Sequence, residues 1–301
     1  MSYQPATIGT EDRTLEQLLR VDKLPSAVFS LSPAIGRAII RLWYRYLTHI
    51  DPDEQVTLMN YGYAETGTDA PFPSLCREDE ADRYCIQLYE HLTIGVDLKG
   101  SAVLEVGCGR GGGASFVARY PKPASLTGID IVARAIDFCN RHYRTAGLTF
   151  ARGDAVALGF GHGSFDAVIN VGSSHYYRSM PCFLAEVRRA LKPGGWFLFA
   201  DFRKREEMPA LRRQLVEAGF ELVREADITD NIVRALEVDN DRKLALIQRR
   251  VPWLFRKTFK EFAATPGSAT YDSFNQARWV YKSFVMKRGE ITSPTPPQTK
   301  S

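Results

Sequence analysis

The sequence predicts an α/β fold, a seven-stranded and mostly parallel sheet with helices on both faces. Three observations carry this expectation. From residue 100 onward, short runs rich in β-branched and aromatic residues alternate with helical stretches, as when crossover helices cover a parallel sheet. A glycine-rich turn joins the first of these runs to the helix after it. Acidic or polar residues (Asp130, Asn170, Asp201) close several runs, at the carboxyl ends where such sheets bind ligands.

The elements follow in order. Residues 1–95 read as an N-terminal helical cap. Within it, Ile35, Ile39, Leu42, Trp43 and Tyr46 follow helical spacing over 34–48. Arg37, Arg41 and Arg45 lie on another face, read as a solvated stripe. Ala81, Tyr84, Cys85, Leu88 and Leu92 give a second helix one apolar face. The domain proper is expected over 96–288. Its strands fall at 102–106, 125–130, 148–151, 165–171 and 196–201, with a sixth at 219–225 and a seventh at 278–287. Helices are expected at 113–120, 132–146 and 179–191, and Gly194-Gly195 as the turn into the fifth strand. Residues 228–277 read as a lid insertion bearing Trp253, Phe255, Phe259, Phe262, Tyr271 and Phe274. The cations Arg249, Arg250, Arg256, Lys257 and Lys260 in that segment suit an anionic head group. The tail, 289–301, contains Ser293-Pro294-Thr295-Pro296-Pro297 and is expected to be disordered.

Composition narrows the class. Of 301 residues, 45% are hydrophobic and 25% charged, ordinary values for a globular chain with a sizeable core. No apolar run approaches membrane-spanning length, and the N-terminus lacks the basic start and apolar core of a secretory signal. A cytoplasmic location is the expectation. The five cysteines form no CxxC pair, which argues against a zinc or disulfide framework. No ligand spacing points to a metal. A formal net charge of +4 is too mild to suggest a nucleic-acid partner.

The chemistry concentrates after the strands. Residues 103–113 run from a strand through Gly107-Cys108-Gly109-Arg110-Gly111 into a helix, with Glu105 two positions before the first glycine. Glycines let the chain turn tightly and let a ligand approach main-chain N–H groups. Asp130, at the end of the second strand, is placed to accept hydrogen bonds from ribose hydroxyls. Both features serve nicotinamide dinucleotides as well, because Gly112 also completes GxGxxG. Cys108 reads as a small packed residue, since nothing pairs it with a base.

Downstream motifs separate these readings. Gly153-Asp154-Ala155 follows the third strand, Phe165-Asp166-Ala167-Val168 opens the fourth, and Leu191-Lys192-Pro193-Gly194-Gly195-Trp196 leads into the fifth. In this order, over residues 101–201, they resemble the motif set of class I S-adenosylmethionine-dependent methyltransferases. The resemblance implies a Rossmann-like sheet and S-adenosyl-L-methionine as cofactor. It implies that Glu105, Gly107 and Gly109 line the methionine end, with Cys108 and Gly111 also among the cofactor-binding residues. Asp130 and Ile131 would hold ribose and flank adenine, Asp154 and Ala155 would meet the adenine edge, and Asn170 would face the amino-acid part.

A closer resemblance lies in Asn60-Tyr61-Gly62-Tyr63, residues 103–115, Asn170 to His175, Phe183-Leu184-Ala185-Glu186-Val187 and Ala200-Asp201-Phe202-Arg203. These look like phthiotriolone/phenolphthiotriolone dimycocerosate methyltransferases. More loosely they are similar to sterol C-methyltransferases and natural-product sugar O-methyltransferases. By analogy with the sugar enzymes, His175 maps to a general base and Asp201 to its orienter or a second base. Gly172 is a departure, standing where the lipid enzymes carry an acidic residue. Tyr61, Tyr63, Gly172, Tyr176 and Trp253 are the expected substrate contacts.

The expected activity is therefore methyl transfer to a small hydrophobic metabolite, a lipid or polyketide, by O-methylation of a hydroxyl. C-methylation of an isoprenoid or sterol-type alkene is the alternative reaction. A methyltransferase fold serving only as a binding module is the alternative of another class. A peripheral membrane contact and a homodimer are the partner readings carried with these.

Overall fold

A computed structural model describes residues 56–67 and 74–289. The expected helix at 34–48 with its arginine stripe, and the tail beyond Gly289, lie outside them.

Seven strands form one sheet: β1 (Ala102–Val106), β2 (Ser125–Asp130), β3 (Leu148–Arg152), β4 (Phe165–Val171), β5 (Leu191–Lys204), β6 (Phe220–Asp227) and β7 (Trp279–Arg288). Their order is β3-β2-β1-β4-β5-β7-β6. The pairings from β3 through β5 are parallel, and β7 runs antiparallel between β5 and β6. Chain order reverses direction at β1/β4, the crevice where sheets of this kind bind ligands. Both faces are covered. Val103, Ile169 and Leu198 enter one core cluster with Leu88 and Leu92. Their neighbours Leu104, Val168 and Phe197 enter the other with Phe183 and Val187. A strand buried on both sides has no polar face, which explains the unbroken apolar runs in β4 and β5.

Nine α-helices lie among the described residues. They are α1 (Arg83–Thr93), α2 (Gly112–Arg119), α3 (Ala133–His142), α4 (Met180–Ala190), α5 (Met208–Glu217), α6 (Thr229–Val238), α7 (Asn240–Arg250), α8 (Arg256–Phe262) and α9 (Ala269–Asn275). Local chemistry starts several of them. Ser179 caps α4 by accepting the Cys182 N–H, with a proline in the first turn. Ser268 caps α9 through the Tyr271 N–H. Gly111 starts α2 in the left-handed region at φ 79°. The expected lid segment is the helical run α6–α9, packed beside β7.

Three boundaries differ most from expectation. β5 begins at Leu191 because that residue already pairs with Phe165. Residues 192–195 then bulge out before Ala167 pairs with Trp196, with Gly194 at φ 71°. Gly194-Gly195 therefore forms a bulge inside the strand, not a turn before it. β5 also runs on to Lys204, because Trp196–Lys204 is matched residue by residue against β7. α3 stops at His142, since Tyr143 turns extended (φ −97°, ψ 140°). The Tyr143 ring then packs 5.5 Å from Phe150, and its hydroxyl donates to the Arg110 carbonyl at 3.0 Å.

Candidate active site

A cavity of about 420 Å³ opens at the carboxyl ends of the parallel strands. Its floor is the glycine turn. Gly107 and Gly109 both adopt positive φ (75° and 56°), and Gly107 and Cys108 donate their N–H groups to the Ile129 carbonyl at 2.8 and 3.0 Å. This ties the turn to β2 and puts Asp130 beside it. One Asp130 oxygen accepts the Gly109 N–H at 3.0 Å, and the other accepts the Val132 N–H at 2.9 Å. Each oxygen keeps further lone pairs for a ligand. Ile131, Asp154 and Ala155 continue the same wall. Asp154 accepts the Val156 N–H at 3.1 Å and lies 3.4 Å from the Arg178 guanidinium.

Two orphaned acceptors flank Gly107. Glu105 and Asn170 each sit one residue from the end of adjacent strands, β1 and β4. Glu105 Oε1 accepts the Tyr89 hydroxyl at 2.7 Å. The Asn170 amide nitrogen lies 2.7 Å from the Val106 carbonyl and 2.9 and 2.8 Å from the hydroxyls of Ser173 and Tyr177. Their remaining oxygens, Glu105 Oε2 and Asn170 Oδ1, are buried without a partner among the described residues. Burial pushes the Glu105 carboxyl up to about 7. The nearby Asp130 charge adds to this, while hydrogen bonds from Tyr89 and the Ala114 N–H oppose it. A buried acceptor left open costs free energy until a donor arrives. Two such acceptors beside a glycine turn and a ribose-type carboxylate fit a nucleoside whose amino-acid end carries an ammonium group.

The opposite side of the cavity holds a hydrogen-bonded histidine–aspartate pair. His175 follows β4 in a short 3-10 turn, and Asp201 lies in β5. His175 Nδ1 is 2.8 Å from Asp201 Oδ1, with the two side chains 8% and 0% exposed. Asp201 also accepts from the Ser174 hydroxyl and from the N–H groups of His175 (3.1 Å) and Phe202 (2.8 Å). The Arg203 guanidinium stands 3.3 Å away. Burial alone would raise the Asp201 carboxyl. The charges of His175 and Arg203, with the donated hydrogen bonds, outweigh it and hold the group well below the usual carboxylate range. An ionised Asp201 only accepts, so His175 donates from Nδ1. The His175 ring packs between Tyr176 (4.0 Å) and Phe202 (4.3 Å).

Of the expected residues, Gly107, Cys108, Gly109, Asp130, Ile131, Asp154, Ala155, Gly172, His175, Tyr176 and Tyr61 line this one cavity. Glu105, Asn170 and Asp201 stand directly behind the lining. Gly111 is not in the lining. It starts α2, and a Cβ there would meet the Tyr143 and Phe150 rings at 2.7 and 2.8 Å. Tyr63 and Trp253 are not brought to the cavity. Tyr63 stacks on His91 at 4.5 Å and donates to Glu65 at 3.0 Å. Trp253 is 78% exposed, because the turn between α7 and α8 faces outward. Sequence reasoning missed Tyr89, Ser173, Tyr177 and Tyr281, all in the lining. Tyr89 was signalled by its place four residues after Cys85 on the apolar stripe of α1. Tyr281 gave no local signal. It reaches the site because β7 pairs it with Phe202. Among the described residues, no three His, Cys, Asp or Glu side chains gather as a metal-holding group, and no helix is long and apolar enough to cross a membrane.

Sheet order, glycine turn and acidic strand end together define a class I methyltransferase architecture. Residues 104–199 match the family described as "Methyltransferase domain". The chain is 37% identical to a fatty-acid O-methyltransferase of Mycolicibacterium smegmatis over 265 residues, 88% of this chain and 95% of the relative. It is 36% identical to a phthiotriol/phenolphthiotriol dimycocerosates methyltransferase of Mycobacterium tuberculosis, over 79% of this chain and 87% of that one. The chain belongs to the S-adenosylmethionine-dependent methyltransferases, and S-adenosyl-L-methionine is its cofactor. Solved structures share the fold. The [4+2]-cyclase SpnF superposes with a TM-score of 0.63 at 21% identity, covering 83% of this chain and 95% of that one. A geranyl diphosphate C-methyltransferase from Streptomyces coelicolor, crystallised with S-adenosyl-L-homocysteine, gives 0.56 at 17%, covering 81% and 98%. A cyclase and a C-methyltransferase on one architecture illustrate that this fold does not fix the reaction.

Proposed function

We propose that this enzyme methylates an oxygen of a long-chain lipid, and that His175 takes the proton when that oxygen is a hydroxyl. The observation that carries the reading is the buried Asp201–His175 pair, with His175 in the cavity lining beside the rings of Tyr176 and Phe202. The cofactor supplies an electrophilic methyl group. The chain must align the acceptor at about 3 Å and accept its proton. With Nδ1 donating to Asp201, the His175 proton acceptor is Nε2, and Asp201 stabilises the charge that follows. Tyr61, Tyr176 and Phe202 exclude water around it. On the cofactor side, Glu105 and Asn170 take the amino-acid end, Asp130 the ribose, and Ile131, Asp154 and Ala155 the adenine. The names of the relatives, a fatty-acid and a phthiotriol methyltransferase, support a lipid acceptor.

The test is turnover of labelled cofactor with a panel of long-chain alcohols, fatty acids and isoprenoids, with product structure read by NMR. An O-methylated lipid supports the reading, and a new C–CH3 bond overturns it. The C-methylation alternative draws on the rings of Tyr61, Tyr176 and Phe202, whose faces suit a cationic intermediate. Cofactor binding by calorimetry without turnover on any acceptor class would return the binding-module reading.

We also propose contact with an anionic lipid surface. Trp253, Leu254 and Phe255 are 78%, 64% and 45% exposed in one turn, within a segment bearing Arg249, Arg256, Lys257 and Lys260. Exposed aromatic and aliphatic side chains beside cations match a charged bilayer interface. Co-sedimentation with phosphatidylglycerol vesicles is expected, weakened by Trp253→Ser with Leu254→Ser. Equal sedimentation of parent and variant would refute it.

A further inference from the structure

A second cavity, of about 150 Å³, adjoins the first. The two share Leu58, Met59, Asn60, Tyr61 and Phe262 in their linings. Beyond that neck the second chamber runs between α7 and α8, walled by Leu246, Ile247, Val251, Phe259 and Ala263. Four charged residues also line it, Asp82, Arg242, Lys243 and Arg250. Arg242 donates to Asp239 at 2.6 and 2.7 Å and to Asp82 at 3.2 Å, and Lys243 lies 3.8 Å from Asp239. Asp82, Asp239, Arg242 and Lys243 thus form a balanced cluster at the chamber's edge, and Arg250 adds one further cation to the lining.

We infer that this chamber is the alkyl-chain subsite of the acceptor and sets the chain length the enzyme prefers, an inference that rests on the lipid reading above. The apolar stretch of the lining suits an alkyl chain. Apolar walls with few polar partners hold water poorly, and the flexible Met59 at the neck adapts to a passing methylene run. The acceptor oxygen lies at His175 in the first cavity. The chain leaves past Tyr61 and Phe262 and ends in the second. Each methylene buried there contributes roughly fourfold in affinity, so a chain long enough to enter is selected over one that stops at the neck.

The experiment fills the chamber with Ala263→Phe and, separately, Leu246→Trp. Two readouts are taken. The first is the ratio of kcat/KM for a 16-carbon over an 8-carbon acceptor. The second is binding of an 18-carbon polyene fatty acid whose fluorescence rises in apolar surroundings. S-adenosyl-L-homocysteine titration verifies that each variant is folded. Excluding two methylenes is expected to lower the ratio more than about tenfold and to weaken probe binding by a similar factor. Parent-like chain-length preference and probe binding in both variants would overturn the subsite, even with lipid methylation intact. Loss of probe binding in a protein that methylates no lipid would support the subsite and instead remove the proposed activity.

Discussion

Asp201, fully buried in β5, accepts a hydrogen bond from Nδ1 of His175 at 2.8 Å across the β4–β5 junction. Asp201 is held ionised by its neighbours, so the pair fixes one tautomer and aims the basic lone pair of Nε2 away from the carboxylate. Proton removal by a positioned base contributes about 10²–10⁴-fold. His175→Gln is therefore expected to lower kcat for a hydroxyl acceptor by at least about 10²-fold, with little change in cofactor affinity. A fatty acid is already ionised near neutrality and would lose far less. Steady-state kinetics on matched alcohol and acid acceptors checks this.

Glu105 gives the site a pH dependence. Its folded carboxyl sits at about 7 against an ordinary 4.5, so between those values the folded chain binds more protons than the unfolded one. Stability without cofactor is fully present below about 4.5 and falls as pH rises through about 7. Cofactor affinity moves the other way, because a cationic amino-acid end favours the ionised carboxylate. Below about 7, binding should strengthen by up to about tenfold per pH unit, with proton release. The slope should vanish in Glu105→Gln. Calorimetry of S-adenosyl-L-homocysteine in buffers of different ionisation enthalpy measures both.

The glycine turn yields a packing prediction. A Cβ on Gly107 would stand 2.3 Å from the Ser173 hydroxyl oxygen and 2.7 Å from that of Tyr177, and the residue sits at φ 75°. Gly107→Ala thus combines backbone strain with displacement of both hydroxyls that hold the Asn170 amide. A loss of about 1–3 kcal/mol is expected from the strained backbone alone, together with loss of cofactor binding. Thermal denaturation and ligand titration report the two effects separately.

Much of this was legible in the chain because local signals and tertiary demands agree in the parallel half. β1, β2 and β4 span the residues their alternation announced, and the cavity gathers Gly107, Asp130, Asp154 and His175 because each lies at or just after a strand's carboxyl end. What was not legible depends on pairings distant in sequence. β5 overruns its expected end because β7 zips against it, and Leu191 joins the sheet through Phe165 across a bulge that Gly194-Gly195 disguised as a turn. Trp253 had the composition of a lid residue. Only the packing of α7 against α8, through Ile247, Val251 and Phe259, leaves it outside.

Tyr281 is the third residue of β7. The antiparallel pairing of β7 sets it opposite Phe202, where its ring lines the cavity and its hydroxyl lies 3.2 Å from the position a Cβ on Gly172 would take. That hydroxyl is buried without a partner among the described residues. Burial, with the negative charge of Asp201 adding to it, keeps the phenol protonated. It is thus a neutral donor in the lining of the cavity. An unsatisfied buried hydroxyl costs about 1–3 kcal/mol, so Tyr281→Phe should leave the cofactor-free protein more stable, raising Tm by about 2 °C or more. The same change removes a donor from the acceptor oxygen, and KM for the lipid should rise several-fold while cofactor affinity holds. A more stable variant with a weakened acceptor KM is the signature of a binding group held open. A rise in Tm with unchanged kinetics would mean that the hydroxyl never meets substrate.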